Sequence, residues 1–320
     1  MPARIPRVVF FDPIPGAWSY ELERSVLDPA GVELLIPADP AEADRLIEEA
    51  DVVIATSVAR LDAERIARLR RCAGILCYSI GMNQVDHAAA AARGIPVTNV
   101  PGYCSDEVAD HGMALLLALW RSVVPIVDLV EAHGWAAIRR SAHVDGIRRI
   151  RGKTLGIVGA GRIGTRVGER ARAFGLRTIA ADPFVEPRPE LPILPLEELL
   201  ERADALILCA ALTPQSRHLL NERTLLHARP GMLLVNVARG GLIDERALAA
   251  AMADGRIAWA ALDVRDPEPP DPATDPLAGS PNLVQTPHVA ASSREAVVDL
   301  HLQAAEICLD LLRAAGRLPA

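Results

Sequence analysis

The sequence predicts an α/β protein made of two units in series, each with a parallel sheet covered by helices. Short apolar runs alternate with segments of helical spacing along most of the chain, and this alternation is typical of parallel strands joined by crossover helices. The alternation begins twice, near Val8 and again at Thr154. The length of 320 residues also corresponds to about two domains.

The first series contains five strand-like runs, at residues 8–11, 32–36, 52–55, 75–78 and 97–98. Segments of helical spacing lie at residues 41–49, 62–70 and 105–120. Asp106 and Glu107 support the last of these, because acids in the first turn suit the positive end of the helix dipole. The stretch 123–151, which contains Trp135, shows no clean period, so no element is predicted there.

The second series has six strand-like runs, at residues 155–158, 177–181, 205–209, 232–235, 257–262 and 283–286. Its helical segments lie at residues 162–174, 196–202, 245–253 and about 293–315. A Pro- and Asp-rich loop at 267–281 separates the last two strands. The sequence therefore predicts a second, larger parallel sheet.

Composition argues against several classes of function. The formal net charge is −7, which disfavours binding to nucleic-acid phosphates. The five cysteines form no CxxC pair and their odd number fits no complete disulfide framework. The N-terminus has no apolar signal core, the apolar stretch 113–120 is too short for a bilayer, and no histidine pair has metal-binding spacing. We expect a cytoplasmic protein without a metal and without a nucleic-acid or membrane partner.

A glycine-rich motif follows the first strand of the second series. The sequence GAGRIG at residues 159–164 fits GxGxxG, and it lies between a strand and a helix, as the dinucleotide-binding fingerprint requires. Gly159 would permit a tight turn, Gly161 a close approach of the pyrophosphate, and Gly164 close packing of the helix on the strand. The free N–H groups of the helix N-terminus would bind the phosphates.

Asp182 completes the predicted dinucleotide site. It ends the next strand, 23 positions after Gly159, close to the spacing of about 20 expected for the acid that binds the ribose hydroxyls. A carboxylate at this point repels a 2′-phosphate, so the sequence predicts NAD rather than NADP. Arg188, six positions further on, leaves tolerance of NADP open.

Three chemically capable side chains each follow a strand-like run of the second series: Arg239, Asp263 and His288. In open α/β sheets, ligands bind at the carboxyl ends of the strands. Taken singly, each residue is more typical of a surface or loop position, so the prediction of a catalytic site depends on the three together.

With these segments the chain resembles the D-isomer-specific 2-hydroxyacid dehydrogenase family, which includes phosphoglycerate dehydrogenases, glyoxylate/hydroxypyruvate reductases and C-terminal-binding-protein corepressors. The resemblance covers essentially the whole chain. It is carried by the glycine motif and by residues 79–86, 106–111, 213–218, 235–241, 262–269 and 286–293.

The resemblance implies two Rossmann-like domains: an NAD-binding domain with a doubly wound parallel sheet, and a flavodoxin-like substrate domain. The substrate domain would be discontinuous, formed by residues 1–101 and 292–320. The NAD-binding domain would span 102–291, with a dimerisation arm at about 123–151, and the protein would be a homodimer.

The resemblance also implies roles for individual residues. His288 resembles the general acid/base, Glu268 its carboxylate partner, and Arg239 the residue that holds the substrate carboxylate; imidazole chemistry near neutral pH supports the first of these roles. The implied coenzyme contacts are Gly159, Gly161, Arg162, Ile163, Gly164, Asp182, Thr213, Ala238, Asp263 and His288.

The substrate would be a small 2-keto or 2-hydroxy acid, bound by Arg239, His288 and the loop Tyr78, Ser79, Ile80 and Gly81. Many relatives have glycine in place of Ser79 and arginine in place of Cys77, so the identity of the acid stays open. Glyoxylate, hydroxypyruvate, 3-phosphohydroxypyruvate and a phosphonate analogue are all candidates. Neither residues 78–81 nor residues 103–104 include Lys or Arg, which favours a substrate with an uncharged side chain.

Three alternatives remain beside this enzyme. A non-enzymatic, NAD-binding corepressor or sensor keeps the same fold and can keep the same residues. Formate dehydrogenases are relatives, but they have Gln where this chain has Glu268. An L-specific or amino-acid dehydrogenase is disfavoured by the order of Arg239, Glu268 and His288 along the chain.

Overall fold

A computed structural model describes residues 4–13, 19–56, 59–136, 144 and 146–319. The chain divides into two compact units. Unit 1 consists of Met1–Cys104 and Ser293–Ala320, and unit 2 of Ser105–Ser292.

Unit 1 is built on a parallel sheet with the strand order β2-β1-β3-β4-β5. Its strands are β1 (Arg7–Phe10), β2 (Glu33–Leu35), β3 (Val52–Ala55), β4 (Gly74–Cys77) and β5 (Val97–Asn99). Its helices are α1 (Glu21–Leu27), α2 (Pro40–Leu46), α3 (Ala63–Arg68) and α4 (His87–Ala92), together with the last helix of the chain, Arg294–Ala314. The order 2-1-3-4-5 is that of flavodoxin-like folds.

The strands of unit 1 supply two hydrophobic cores, one on each face of the sheet. Val8 and Phe10 contribute to one core with the C-terminal helix, whereas Val9 contributes to the other with Ile47 and Ile66. Alternate residues of a strand point to opposite faces, so a sheet buried on both sides requires apolar residues at every position. This is why the strands are recognisable as continuous apolar runs.

Unit 2 is built on a six-stranded parallel sheet with the order β11-β10-β9-β8-β6-β7. Its strands are β6 (Thr154–Val158), β7 (Arg177–Ala181), β8 (Ala205–Leu208), β9 (Met232–Asn236), β10 (Ile257–Leu262) and β11 (Leu283–Gln285). Its helices are α5 (Ser105–Trp120), α6 (Val123–His133), α7 (Arg162–Ala173), α8 (Leu196–Arg202), α9 (Glu222–Leu225) and α10 (Glu245–Ala253). The C-terminal helix of unit 1, Arg294–Ala314, is α11.

The winding of unit 2 reverses at β6. The chain first crosses to β7 on one side of this strand and then to β8 on its other side. Ligands of doubly wound sheets bind at such a switch point, outside the carboxyl ends of the strands. The predicted α/β fold class with two parallel sheets is confirmed.

The helix α6 is absent from the elements that the sequence predicts. Pro125 lies in its first turn and its apolar residues show no clear stripe, yet Val123–His133 is helical and exposes Val123 and Val127. Of the proposed arm at 123–151, residues 137–143 and 145 lie outside the described residues. No single described helix has the length and hydropathy to cross a membrane; α5 and α6 pass that test only as a pair bent by 57°.

Candidate active site

The glycine motif forms the turn between β6 and α7, and its three glycines meet different steric conditions. Gly159 has φ = +91°, and a Cβ there would lie 2.6 Å from the backbone N of Ala210. A Cβ on Gly164 would lie 2.0 Å from the carbonyl oxygen of Gly159. Gly161 precedes α7 as its N-cap and has no atom within 4 Å of the position of a Cβ. Protein atoms therefore pack tightly against the turn at Gly159 and Gly164, whereas space remains beside Gly161.

Asp182 follows β7, the neighbour of β6. Its Oδ2 accepts a hydrogen bond from the backbone N–H of Ala160 at 2.8 Å, and its Oδ1 accepts one from the N–H of Phe184 at 2.9 Å. The carboxylate is thus fixed beside the glycine turn, next to the N-terminus of α7. An open turn at a helix N-terminus with an adjacent carboxylate fits the pyrophosphate and ribose of a dinucleotide.

Other predicted coenzyme contacts lie at the same edge of the sheet. Arg162 is exposed and Ile163 half-buried in the first turn of α7. Thr213 is exposed in the loop after β8, where its N–H donates to the Oγ of Ser216 at 2.8 Å. Ala238 follows β9 and is buried, 9% exposed. These positions lie beyond the carboxyl ends of β6, β8 and β9 and fit a bound dinucleotide.

His288 and Glu268 form a direct pair. His288 Nδ1 lies 2.7 Å from Glu268 Oε2, and the backbone N–H of Arg265 donates to Glu268 Oε1 at 2.8 Å. Partial burial alone would raise the pKa of Glu268, but the hydrogen bonds from His288 and Arg265 outweigh it and lower that pKa. An ionised carboxylate accepts only, so Nδ1 of His288 carries the proton in this contact and Nε2 is left for other partners.

Arg239 lies close enough to influence this pair. It follows β9, and its positive charge contributes to the lowered pKa of Glu268. Its Nη1 donates to the carbonyl oxygen of Ala238 at 2.6 Å. The next residue, Gly240, packs directly on the backbone of Arg265, because a Cβ there would lie 2.0 Å from the carbonyl carbon of Arg265. The structure thus brings Arg239, Glu268 and His288 together.

Asp263 holds the segment that carries His288. His288 has φ = 54°, a left-handed conformation that costs energy in a residue other than glycine. Its N–H donates to the carbonyl oxygen of Asp263 at 2.8 Å, and the N–H groups of Val289 and Ala290 each donate to the Asp263 carboxylate at 3.0 Å. Asp263 itself is 2% exposed. These three backbone hydrogen bonds to one buried residue stabilise the left-handed conformation of His288.

Two residues outside the predicted site complete the surroundings of Asp263. The Thr286 hydroxyl donates to Asp263 Oδ1 at 2.5 Å, and His111 Nε2 lies 3.1 Å from the Thr286 hydroxyl oxygen and 3.5 Å from Asp263 Oδ1. Through these contacts His111 connects α5 to Thr286 and Asp263. His111 and Thr286 both lie in segments that carry the family resemblance, 106–111 and 286–293, but no sequence signal pairs them, because they are far apart along the chain.

The predicted substrate loop lies in unit 1, immediately after β4. Tyr78 is buried and its hydroxyl donates to Glu23 Oε1. The carbonyl oxygens that follow are occupied: that of Ser79 accepts from the N–H of Val100, that of Ile80 from the Asn99 side chain, and that of Gly81 from the Ser79 hydroxyl. Within the described residues, the N–H groups of residues 79–81 have no acceptor, which suits the binding of a carboxylate.

The described residues contain no group of three or more His, Cys, Asp or Glu side chains that could hold a metal ion. All five cysteines lie among the described residues, and none of them forms a disulfide.

Comparison with known proteins gives consistent matches. A family model described as the NAD binding domain of D-isomer specific 2-hydroxyacid dehydrogenases matches residues 113–290, which include the glycine turn, Arg239, Glu268 and His288. The D-3-phosphoglycerate dehydrogenase of Mycobacterium tuberculosis is 38% identical over 266 residues, which cover 81% of this chain and 49% of that protein. The chain thus spans about half the length of the curated relatives it matches.

Solved structures match nearly the whole chain. The TT0316 protein from Thermus thermophilus is 37% identical, with a TM-score of 0.82, over 96% of this chain and 97% of that one. A glyoxylate reductase from Paecilomyes thermophila is 26% identical, with a TM-score of 0.85, over 99% of this chain and 98% of that one. The similarity therefore extends through both units.

Proposed function

Because the chain belongs to the D-isomer specific 2-hydroxyacid dehydrogenase family, we propose that it is an NAD-dependent D-2-hydroxyacid dehydrogenase or 2-keto acid reductase. The bound coenzyme would exchange a hydride with carbon 2 of a small acid, and His288 would exchange a proton with the oxygen on that carbon. The proposal is carried by the 2.7 Å contact of His288 Nδ1 with Glu268 Oε2, next to the charge of Arg239.

His288 donates or accepts the proton at Nε2. Glu268 holds Nδ1 and leaves Nε2 directed away from the pair. In the reducing direction Nε2–H donates its proton to the 2-oxygen, and the ionised Glu268 stabilises the charged imidazole that precedes this transfer. In the oxidising direction the neutral Nε2 accepts the hydroxyl proton. Such acid–base catalysis contributes about 10²–10⁴-fold to the rate.

Arg239 and residues 79–81 each offer donors that suit the acid. The planar guanidinium of Arg239 can donate to both oxygens of a carboxylate, which lysine cannot do with the same geometry. The N–H groups of residues 79–81, which have no acceptor among the residues that the structure describes, offer further donors. Since residues 78–81 and 103–104 contain no Lys or Arg, we propose a substrate with an uncharged side chain, such as glyoxylate or hydroxypyruvate, over 3-phosphohydroxypyruvate or a phosphonate.

NAD would supply or accept the hydride when bound. The open face of Gly161 and the N-terminus of α7 would bind its pyrophosphate, and Asp182 the adenosine ribose. Thr213 and Ala238 would lie along its nicotinamide half, whereas the buried Asp263 holds the segment of His288 behind them. The carboxylate of Asp182 favours NAD, because it would repel the 2′-phosphate of NADP.

A panel of 2-keto acids tests the proposal. The full chain is assayed with NADH and with NADPH against glyoxylate, hydroxypyruvate, 3-phosphohydroxypyruvate and a phosphonate analogue. We expect oxidation of NADH with an acid that has an uncharged side chain, and a kcat/KM at least about tenfold lower with NADPH. Binding of NADH without turnover of any acid would contradict the proposal and favour the corepressor or sensor. Turnover of formate with NAD would instead favour formate dehydrogenase chemistry.

We also propose a homodimer in a reducing, cytoplasmic environment. Val123 and Val127 on α6 and the 78% exposed Trp135 are exposed apolar side chains that a second copy could cover. The five cysteines form no disulfide, which fits a reducing compartment. Sedimentation velocity should show twice the chain mass of 34.3 kDa; a monomer at micromolar concentration would contradict the dimer.

A further inference from the structure

Arg265 is a buried cation close to the His288–Glu268 pair that the proposed chemistry does not use. Its side chain is only 6% exposed. Its guanidinium donates from Nε to Glu245 Oε1 at 2.8 Å and from Nη2 to Glu245 Oε2 at 2.9 Å, which is the fork arrangement of arginine and carboxylate. Nη2 also donates to Asp275 Oδ1 at 2.5 Å, and Nη1 donates to Gln285 Oε1.

These partners come from three different segments of unit 2. Glu245 is the first residue of α10, which follows the segment of Arg239. Asp275 lies in the same loop as Glu268. Gln285 ends β11, three positions before His288. One guanidinium therefore connects the start of α10, six residues after Arg239, with the loop that carries Glu268 and the strand that precedes His288.

The backbone of Arg265 also reaches the acid–base pair directly. Its N–H donates to Glu268 Oε1 at 2.8 Å, while the other oxygen of Glu268 contacts His288. The next N–H, that of Asp266, donates to Glu245 Oε1 at 3.2 Å. The side chain of Glu245 thus fixes both the guanidinium of Arg265 and the backbone beside it. A shift of Arg265 would move the donor that orients Glu268.

We propose that Arg265 is a positioning residue, whose buried contacts with Glu245, Asp275 and Gln285 hold Glu268 in place against His288. This inference rests on the proposed function for its kinetic consequence, but its structural consequence does not depend on turnover. A guanidinium is needed here because its planar fork makes four directed contacts at once, and an ammonium has three donors without that geometry. A purely structural ion pair would stabilise the unit and leave the orientation of Glu268 unchanged.

The substitution Arg265→Lys tests the proposal, with Arg170→Lys as a matched control. Arg170 also contacts two carboxylates in unit 2, through Nε to Asp110 at 2.5 Å and Nη2 to Asp106 at 2.8 Å, but it joins α7 to α5. Both substitutions keep the positive charge and remove the planar guanidinium. We expect Arg265→Lys to lower kcat/KM for the reduced acid by up to about 100-fold, as a misplaced catalytic group does, and Arg170→Lys to leave it unchanged.

A double-substitution cycle separates positioning from stability. The loss in kcat/KM that Arg265→Lys causes in the Glu268→Gln chain is compared with the loss that Arg265→Lys causes in the parent chain. If Arg265 acts through Glu268, its substitution should have less than about a threefold further effect once Glu268 is altered. Equal losses in both backgrounds, or no loss in either, would overturn the proposal.

A titration of Glu268 tests the same claim without any turnover. The side-chain carboxyls are followed by ¹³C NMR in glutamate-labelled chain, and the Glu268 signal is identified by its loss in Glu268→Gln. The pKa of Glu268 should rise toward its ordinary value in Arg265→Lys and stay low in Arg170→Lys. An unchanged titration in Arg265→Lys would overturn the proposal, even if the keto-acid panel fails. If Arg265→Lys does not fold, Glu245→Gln should produce the same rise, because it removes the charge that holds the fork.

Discussion

The backbone N–H of Ala160, in the middle of the glycine turn, donates a hydrogen bond to Asp182 Oδ2 at 2.8 Å. This contact joins the loops that follow two neighbouring strands, β6 and β7. It holds the carboxylate beside the turn. Each carboxylate oxygen has a second lone pair, so Asp182 can still accept hydrogen bonds from a ribose diol.

Coenzyme preference should depend on Asp182. The change Asp182→Ser removes the negative charge that would repel a 2′-phosphate. It also shortens the side chain that would accept hydrogen bonds from the ribose hydroxyls. We expect the ratio of kcat/KM with NADH to that with NADPH to fall by about 10–100-fold, which corresponds to about 1–3 kcal/mol for a lost charged hydrogen bond. Asp254→Ser is the control, because Asp254 also accepts a backbone N–H, that of Arg256, but lies at the end of α10. An unchanged ratio in Asp182→Ser would remove Asp182 from the coenzyme site.

Two glycines of α7 should respond in opposite ways to alanine. In Gly164→Ala the new Cβ would lie 2.0 Å from the Gly159 carbonyl oxygen, so the helix must move away from the turn. In Gly168→Ala the first contact is at 3.2 Å with the far end of the flexible Arg172 side chain. We expect Gly164→Ala to weaken NADH binding at least about tenfold and to destabilise the chain by about 1–3 kcal/mol. Gly168→Ala should retain binding and gain up to about 1 kcal/mol of helix propensity.

Calorimetric titration with NADH and thermal unfolding measure both effects. If Gly164→Ala binds NADH as tightly as the parent chain, close packing of α7 on the turn is not what shapes the coenzyme site. If Gly168→Ala loses binding equally, the whole helix rather than the turn is the sensitive element.

The buried Glu23 of unit 1 should make stability depend on pH. Glu23 is 0% exposed, and its Oε1 contacts His301 Nδ1 at 2.6 Å and the Tyr78 hydroxyl. Burial alone would raise the pKa of Glu23, but these hydrogen bonds outweigh it and lower the pKa below its ordinary value of 4.5. A carboxyl whose pKa is lower in the folded state stabilises it fully above the unfolded pKa and loses this effect as the pH falls through the folded pKa.

The substitution Glu23→Gln isolates this contribution. At pH 7 it should lower the free energy of unfolding in urea by about 1–3 kcal/mol, because a charged, hydrogen-bonded partner of His301 is lost. The difference from the parent chain should shrink as the pH falls below about 4.5. Glu33→Gln, which alters an exposed pair with Arg7, should change stability little at either pH. A pH-independent difference in Glu23→Gln would contradict the lowered pKa.

The fold is predictable because its strands are buried on both faces. The run Ile257–Leu262 is predicted with the observed limits of β10, and the last helix begins one residue after its predicted start because the Ser293 side chain caps it by accepting from the N–H of Ala296. The sequence does not predict the helix α6, because its apolar residues are spread around the helix. Such a pattern has no period that distinguishes a helix from a loop.

The site is predictable where its residues follow strands. The ends of β9, β10 and β11 indicate Arg239, Asp263 and His288, whereas the partnership of Glu268 with His288 comes only from the family resemblance. The contacts of Arg265 with Glu245 and Gln285 have no signal in the sequence. They join side chains 20 positions apart through the tertiary fold, and neither spacing nor composition encodes such pairs.

The most direct test of the account is the rate of NADH-dependent keto-acid reduction in His288→Gln. His227→Gln is the matched control, because His227 Nδ1 contacts Glu201 Oε1 at 2.9 Å in the same kind of histidine–carboxylate pair, on the surface of unit 2. We predict that kcat/KM for the best acid of the panel falls by about 10²–10⁴-fold in His288→Gln and is unchanged in His227→Gln, with NADH binding retained in both. Equal turnover by His288→Gln and the parent chain would contradict the assignment of His288 as the acid–base group.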